Sequence, residues 1–171
     1  MNIFILDSDP EIAAQQQCDK HCVKMILESN QLLCTAFWMQ DIEAPYKKTH
    51  YNHPSSVWAR ESRGNFDWLL KHTAALFCEY TKRYGRIHKS VSTFAWVLEN
   101  RYRLKFNKEE QTEFTVAIGQ DQHCRQVDGF DSLGVIEQYR EYYCYDKSYM
   151  AKWKSGEPPK WYRAKQLQVV G

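Results

Sequence analysis

Apolar side chains recur at helical spacing along most of the chain. The pattern predicts an amphipathic helix from Asp19 to about Gln40 and a longer one from about Ser56 to Tyr84, which Gly85 is placed to end. Within the longer helix Gly64 costs about 1 kcal/mol relative to Ala and therefore indicates a kink or a close approach of another segment. The apolar positions that define the two patterns are Val23, Ile26, Leu27, Leu33, Cys34 and Phe37, then Phe66, Leu69, Leu70, Phe77, Tyr80 and Tyr84.

Shorter helices are predicted on either side of these two. Asp9 is a suitable N-cap and Pro10 a suitable first residue for a helix reaching about Gln17. A further helix fits Ser90 to about Leu104, and one or two more fit Leu133 to Lys154.

The remaining segments predict loops and short extended elements. Ile3 to Leu6 is a short apolar run typical of a strand or an extended segment, and Leu167 to Val170 is a strand-like tail. Prolines mark a loop from Glu43 to Ser56, and Asn107 to Ser132 has no clean period and predicts a long loop with short elements, of a length that more often indicates a function than an idle linker. The expected fold is a mainly α, compact single-domain helical bundle, residues 1–171, with minor short strands.

Composition agrees with this and excludes several classes of protein. A chain of 171 residues with 43% hydrophobic and 26% charged residues is typical of one folded domain and not of a disordered or collagen-like protein. Its apolar runs are too short for a transmembrane helix, and no basic-then-apolar signal peptide opens the chain. We therefore expect a cytoplasmic protein whose six cysteines are reduced.

Several cysteines and histidines are of the residue types that bind zinc. They are Cys18, His21, Cys22, His123 and Cys124. Because no CxxC pair occurs, the spacing favours buried cysteines on helices over a structural zinc site. We predict no metal and no other cofactor.

Positive charge is concentrated in two stretches although the net charge is only +2. Lys82 to Lys105 holds seven basic residues and one acid, and Lys147 to Lys165 holds six basic residues and one acid. Both stretches are interleaved with aromatic residues, a mixture suited to nucleic acid because cations neutralise phosphates while rings stack on bases. Solvated helix faces over buried aromatic residues are the alternative, and the pattern alone does not separate the two.

One candidate site lies on the first long helix. With Asp19 as its N-cap, Lys20, Lys24 and Glu28 fall four residues apart and form a polar stripe beside His21. A plain solvated face with a Lys24 to Glu28 ion pair is the alternative.

Two further groups of polar and aromatic residues follow. The first is a proline-bounded loop that opens a helix and is suited to an anionic or polar ligand. The second occupies one face of the long helix, although its glutamate and arginine also fit a simple ion pair. The loop residues are His50, Asn52 and His53, followed by Trp58 and Arg60, and the helix residues are Asn65, Trp68, His72, Glu79 and Arg83.

Four segments of the chain resemble one protein family. They are MNIFILDSDPEIAAQQQCDKHCVKMILES, APYKKTHYNHPSSVWARESRGNFDWLL, EYTKRYGRIHKS and YREYYCYDKSYMAKWKSGEPPKWY. Together they resemble small proteins common in tailed bacteriophages, often labelled pyrimidine-dimer DNA glycosylases. A bacterial relative that removes a modified pyrimidine from phage DNA is similar in size. The resemblance covers most of the chain except about Val91 to Phe130.

This resemblance implies an enzyme that flips a nucleotide into a pocket and uses a carboxylate to stabilise the sugar cation. Asp7, Asp19, Glu28 and Glu79 are the acids in the matching segments, and Asp19 or Glu28 is the preferred catalytic residue. If strand cleavage follows, Lys20 or Lys24 is the expected Schiff-base nucleophile.

The resulting hypothesis is a DNA glycosylase acting on a damaged or modified pyrimidine, with DNA as its partner and no membrane or obligate protein partner. The alternatives are a hydrolase of free nucleotides or nucleosides and a non-enzymatic DNA-binding protein. The residues expected to contact base or phosphate or to line the pocket are His21, His50, Asn52, His53, Trp58, Arg60, Asn65, Trp68, Glu79, Arg83 and Lys147.

Overall fold

The structure is a computed structural model that describes residues 1–170, with side chains described through residue 167. Seven α-helices and three single-turn 3-10 helices account for its regular structure, which confirms the mainly α prediction. The α-helices are α1 (Pro10–Gln16), α2 (Asp19–Trp38), α3 (Pro54–Glu61), α4 (Arg63–Tyr84), α5 (Val91–Asn100), α6 (Val135–Asp146) and α7 (Lys160–Val170). The 3-10 helices are Arg101–Arg103, His123–Gln126 and Phe130–Ser132.

Helices α2 and α4 form the centre of the fold, and α1, α3 and α5 pack around them. Aromatic residues fill the space between: the Phe37 ring of α2 meets Phe66 of α4 and Trp96 of α5 edge to face. The apolar residues 3–6 are 0–5% exposed and lie in the same hydrophobic cluster. The amino-terminal segment is therefore part of the core, and this positions its first two residues beside α2.

Capping signals in the sequence correctly predict where some helices begin and end. The Asp9 carboxylate accepts hydrogen bonds from the backbone N–H groups of Glu11 and Ile12, and Pro10 is the first residue of α1. Helix α4 ends at Gly85, whose φ of 62° is in the left-handed region that favours glycine.

The prediction of a single long helix over Ser56 to Tyr84 is wrong, because the helix is interrupted at Ser62. This residue is extended, with φ −144° and ψ 162°, and its hydroxyl accepts the Asn65 N–H as the N-cap of α4. The preceding helix begins earlier than predicted, at Pro54, because the His53 ring accepts the Ser55 N–H and caps it.

Gly64 marks a close approach of two backbones rather than a kink. A Cβ atom at this position would lie 2.4 Å from the backbone nitrogen of Gln111. Backbone hydrogen bonds from Arg63 to the Lys108 carbonyl and from Gly64 to the Glu109 carbonyl hold the irregular segment against α4. The prediction of a long loop with short elements from Asn107 to Ser132 is confirmed, and its short elements are two 3-10 turns.

Four other local predictions need correction. Cys18, not Asp19, is the N-cap of α2, and Asp19 is its first helical residue. Residues 3–6 form no strand in the part of the chain that the structure describes, and Phe4 there has a φ of 58°. The tail from Leu167 to Val170 belongs to α7, and the helix predicted to reach Leu104 ends at Asn100 before a 3-10 turn.

None of the helices in the described residues combines enough length with enough apolar character to traverse a lipid bilayer.

Candidate functional site

A cleft of about 340 Å³ opens where the amino terminus, α2 and the end of α6 meet. This volume falls in the range of about 300 to 1,000 Å³ typical of small-molecule sites. Its lining combines one acid, several cations and aromatic rings, and it consists of Met1, Asn2, Phe4, Lys20, His21, Lys24, Glu28, Ala117, Tyr142, Lys147, Tyr149 and Met150.

Glu28 is the only acid in this lining, and both of its carboxylate oxygens are held. Oε1 lies 3.1 Å from Lys24 Nζ, one helical turn earlier on α2. Oε2 accepts the Asn2 backbone N–H at 2.9 Å and lies 3.7 Å from the Met1 amine. The Glu28 side chain is 11% exposed, whereas that of Lys24 is 66% exposed. The carboxylate is thus a fixed, mostly buried anion between the exposed Lys24 ammonium and the buried Met1 amine.

The Asn2 side chain builds the amino-terminal wall of the cleft. Its amide donates to the Ala117 carbonyl at 2.8 Å, and its Oδ1 accepts the N–H groups of Ile3 and Phe4. These bonds accompany the left-handed backbone of Phe4, a conformation that costs a non-glycine residue about 1 kcal/mol or more. Such conformations persist only where the surrounding structure holds them, and they cluster at functional sites.

His21 is buried at the back of the cleft and is neutral. Its ring stacks on Phe4, with centroids 4.1 Å apart, and its Nδ1 hydrogen-bonds the Tyr143 hydroxyl. Burial lowers the pKa of His21 to about 3, helped by the positive charges of Lys147 and Lys24. The ring therefore carries no charge at neutral pH, and it orients the aromatic wall rather than binding phosphate.

Aromatic rings and a lysine from the end of α6 complete the opposite wall. Tyr142 stacks near Phe4, with centroids 5.9 Å apart, and Lys147 Nζ lies 4.4 Å above the Tyr142 ring. Tyr149 stands at the rim and is 77% exposed. Flat rings beside cations suit a ligand that carries both a planar base and negative charge.

The proline-bounded loop that carries His50, Asn52 and His53 approaches this site through His53. Burial lowers the pKa of His53, and so do the positive charge of the Met1 amine and the charge of His50, whereas Glu28 raises it. His53 is therefore within electrostatic reach of Glu28. His50 and Asn52 are exposed, and His50 Nδ1 is 2.6 Å from the Thr49 hydroxyl.

The structure separates Asp19 from Glu28, although both acids are on α2. Asp19 Oδ1 lies 3.3 Å from Arg83 Nη1, and Oδ2 accepts the Lys154 N–H at 2.8 Å. Arg83 also contacts Glu79 at 2.9 Å and donates to the carbonyls of Gln15 and Gln17. These contacts join α4 to α1 and α2, so the expected roles of Arg83 in holding phosphate and of Glu79 in binding substrate are replaced by structural ones.

The residues predicted on the face of the long helix are core residues. Trp58 and Trp68 are 2% and 5% exposed and pack on each other and on Phe114, so they do not line the cleft. Asn65 is buried and bridges the Trp58 carbonyl to Thr112. Helical spacing reports only that side chains share a face, and in α4 that face points into the protein.

His72 and Arg60 also make their contacts with residues outside the cleft. His72 Nδ1 donates to the Pro10 carbonyl, and Nε2 accepts the Gln17 side-chain N–H; burial lowers the His72 pKa to about 4. Arg60 is partly exposed and donates to the Ser56 hydroxyl. Arg60 borders a separate surface cleft with Lys105.

Of the residues predicted to act, the cleft brings together Lys20, His21, Lys24, Glu28 and Lys147. Sequence reasoning missed Asn2, Phe4, Tyr142 and Tyr149. The only signal was for Tyr149, which lies in the basic, aromatic-rich stretch from Lys147 to Lys165, whereas Tyr142 precedes that stretch. Among the described residues, no three His, Cys, Asp or Glu side chains are grouped so that they would hold a metal ion.

Comparisons of the chain with protein families, with curated proteins and with solved structures find no match.

Proposed function

We propose that this protein is a DNA glycosylase that removes a damaged or modified pyrimidine, and that the reaction takes place in the cleft around Glu28. The observation that carries the proposal is a single anchored carboxylate in a cleft of small-molecule size, otherwise lined by cations and aromatic rings. The resemblance of the sequence favours phage DNA as the substrate. We expect the reaction to take place in the cytoplasm.

The charges in the cleft are arranged for a nucleotide that has left the helix. Lys20, Lys24 and Lys147 are placed to meet phosphates, while the exposed Tyr149 ring at the rim offers a face to an extruded base. Extrusion costs a few kcal/mol, and stacking in the pocket offsets it.

Hydrolysis of the glycosidic bond requires an anion near the anomeric carbon. In the proposed step the Glu28 carboxylate stabilises the positive sugar as the C1′–N bond breaks, and it orients the attacking water. The base leaves with the bonding electron pair and takes up the proton that water releases, while the hydroxide becomes the C1′ hydroxyl. The Asn2 N–H and Lys24 fix the carboxylate for this role.

Amines close to Glu28 allow a second reaction at the same site. Lys20 and Lys24 both line the cleft, and either of them would form a Schiff base if it attacked C1′ in place of water. Borohydride reduces such an imine and links protein to DNA permanently. A covalent product would identify an enzyme that also cleaves the strand.

The test is excision of bases from modified and unmodified duplexes, including phage-derived DNA, by wild-type protein and by Glu28→Gln. We expect wild type to leave abasic sites in at least one DNA, and the variant to be at least about 100-fold slower, as is usual when electrostatic stabilisation of a transition state is lost. No abasic product from any DNA would contradict the proposal.

Glu141→Gln is the matched control. Its carboxylate is 18% exposed and lies 3.0 Å from Lys165, so it resembles Glu28 in burial and pairing, but it is outside the cleft. We expect this variant to excise bases at the wild-type rate. Equal losses in the two variants would mean that lost charge pairing, not catalysis, explains the effect of Glu28→Gln.

Hydrolysis of a free nucleotide is the second candidate, and the small volume of the cleft favours it. A DNA enzyme loses affinity steeply with salt because it displaces counterions from many phosphates, whereas a nucleotide enzyme does not. Measuring KM at increasing salt for oligonucleotide and mononucleotide substrates separates the two.

A further inference from the structure

A second cleft, of about 640 Å³, adjoins the Glu28 cleft. Tyr149, Met150, Lys20 and Lys24 line both clefts, so the two meet along this rim. The proposed glycosylase reaction uses only the Glu28 cleft and leaves the larger one without a role.

Four lysines surround the second cleft: Lys20, Lys24, Lys152 and Lys154. The only acid in its lining is Asp19, whose charge is already paired with Arg83. Lys24 is likewise paired with Glu28, so Lys20, Lys152 and Lys154 provide the positive charge that faces a ligand, which matches a phosphate-bearing ligand.

The backbone that carries two of these lysines is fixed to the start of α2. Asp19 N–H donates to the Lys152 carbonyl at 2.8 Å, and the Lys154 N–H donates to Asp19 Oδ2 at 2.8 Å. Lys152 and Lys154 are thus held at the cleft although their side chains are exposed.

The floor of the second cleft is apolar and aromatic. It consists of Val23, Tyr84, Tyr149 and Met150, and the Tyr84 hydroxyl donates to the Asp19 carbonyl, which fixes its ring. Val23 and Tyr84 are 37% and 40% exposed, so this apolar surface faces solvent. An apolar floor ringed by lysines matches a base with its attached phosphate.

We propose that the second cleft binds the nucleotide next to the one in the Glu28 cleft, so that this face takes an unpaired stretch of a nucleic-acid strand. Tyr149 stands between the two nucleotides as a stacking surface, and Lys152 and Lys154 bind the phosphates beyond it. The inference rests on the proposed function for the identity of the first nucleotide. It goes further by distinguishing a strand from a free nucleotide as ligand.

The experiment compares two probes: fluorescently labelled single-stranded hexathymidylate, measured by anisotropy, and thymidine 5′-monophosphate, measured by calorimetry. In Lys152→Gln/Lys154→Gln we expect the hexathymidylate Kd to rise about tenfold at low salt, with a shallower salt dependence of binding. The monophosphate Kd should rise less than the hexathymidylate Kd, because the Glu28 cleft, which neither lysine lines, still binds a single nucleotide. Lys89→Gln/Lys160→Gln, at exposed lysines outside both clefts, is the control and should leave both Kd values unchanged.

A second variant tests stacking separately from charge. Tyr149→Ala should weaken hexathymidylate binding about 5- to 100-fold, and Tyr149→Phe should restore it, because the ring and not the hydroxyl provides the surface. Tyr102→Ala is the matched control, since Tyr102 is 78% exposed and borders neither cleft. Circular dichroism confirms that each variant is folded.

The outcomes separate this inference from the proposed function. If wild type does not bind hexathymidylate, or if both cleft variants behave like their controls, the inference is wrong even when bases are excised. If the expected binding pattern appears but no DNA yields abasic sites, the strand-binding groove stands and the glycosylase proposal fails.

Discussion

Two charged clusters on α2, about two and a half turns apart, differ in what satisfies their acids. At the first turn Asp19 is paired with Arg83, whose side chain is only 6% exposed and also bonds Glu79 and two backbone carbonyls. Further along, Glu28 is paired with Lys24, which is 66% exposed, and its other partners come from the amino terminus. We call the Arg83 cluster closed, because protein groups take up all the Arg83 donors even though Asp19 also lines the second cleft, and the Glu28 cluster open, because its acid lines the smaller cleft beside an exposed lysine.

The difference teaches how to separate structural from functional charges. A guanidinium whose donors all bind protein has none left for a phosphate, so the Arg83 cluster stabilises the fold. A carboxylate anchored by a backbone N–H and paired with an exposed lysine is held in place yet can still face a bound ligand. Each cluster contains an acid and a base four residues apart on one helix, so the sequence alone makes both of them candidates.

The largest expected effect on stability comes from removing the Arg83 guanidinium from the closed cluster. Arg83→Met leaves Asp19 and Glu79 without their buried cation and two carbonyls without a donor. We expect the free energy of unfolding to fall by about 3 kcal/mol, measured by urea denaturation. Arg163→Met removes an exposed ion pair to Glu157 and should cost less than about 0.5 kcal/mol. Equal losses in the two variants would show that Arg83 is not a buried structural link.

The next effect concerns the neutral histidine of the open cluster. In the unfolded chain His21 binds a proton near its ordinary pKa of about 6.5, whereas in the folded protein its pKa is about 3. The unfolded state therefore binds more protons between these values, and stability is lost as the pH falls. Each pH unit costs about 1.4 kcal/mol for this group.

His21→Phe retains the ring but removes this titration. We expect its unfolding free energy to fall less steeply than that of wild type between about pH 6 and pH 4, the slopes differing by about 1.4 kcal/mol per pH unit. Buried His72, with a pKa of about 4, contributes a similar slope to both proteins and cancels in the comparison. Parallel curves would mean that His21 titrates normally when folded.

The smallest effect on stability comes from the exposed partner of the open cluster. Lys24→Gln removes a surface i, i+4 pair and should change the unfolding free energy by about 0.5 kcal/mol or less. Its effect on ligand binding should be clearer: the slope of log K against log salt for single-stranded DNA falls by about 0.7 when one phosphate contact is lost. An unchanged slope would place Lys24 outside the binding surface.

The sequence predicts the helices better than their joints. Apolar periodicity identifies α2 and α4, and Asp9, Pro10 and Gly85 mark true helix ends. The sequence did not predict the interruption at Ser62, because no proline or glycine occupies this position. A serine N-cap inside an apolar pattern is indistinguishable from a helical serine.

The candidate site was predictable only in part. Lys20, Lys24 and Glu28 follow from spacing on one helix, and Lys147 from its basic stretch. Asn2 and Phe4 were not predictable, because their roles depend on the amino-terminal segment passing through the core and meeting Ala117 from a distant loop. Trp58 and Trp68 were misassigned because a tryptophan on a polar face has the same pattern whether that face meets solvent or another helix.

The absence of a side chain at Gly64 has consequences for the Glu28 carboxylate. Any side chain there would push Gln111 and the following residues away from α4, and the same segment carries the Ala117 carbonyl that anchors Asn2. Asn2 in turn presents the N–H that holds Glu28. A variant such as Gly64→Ala would thus disturb the cleft without touching any residue in it, and a survey of inactive mutants should find this glycine among them.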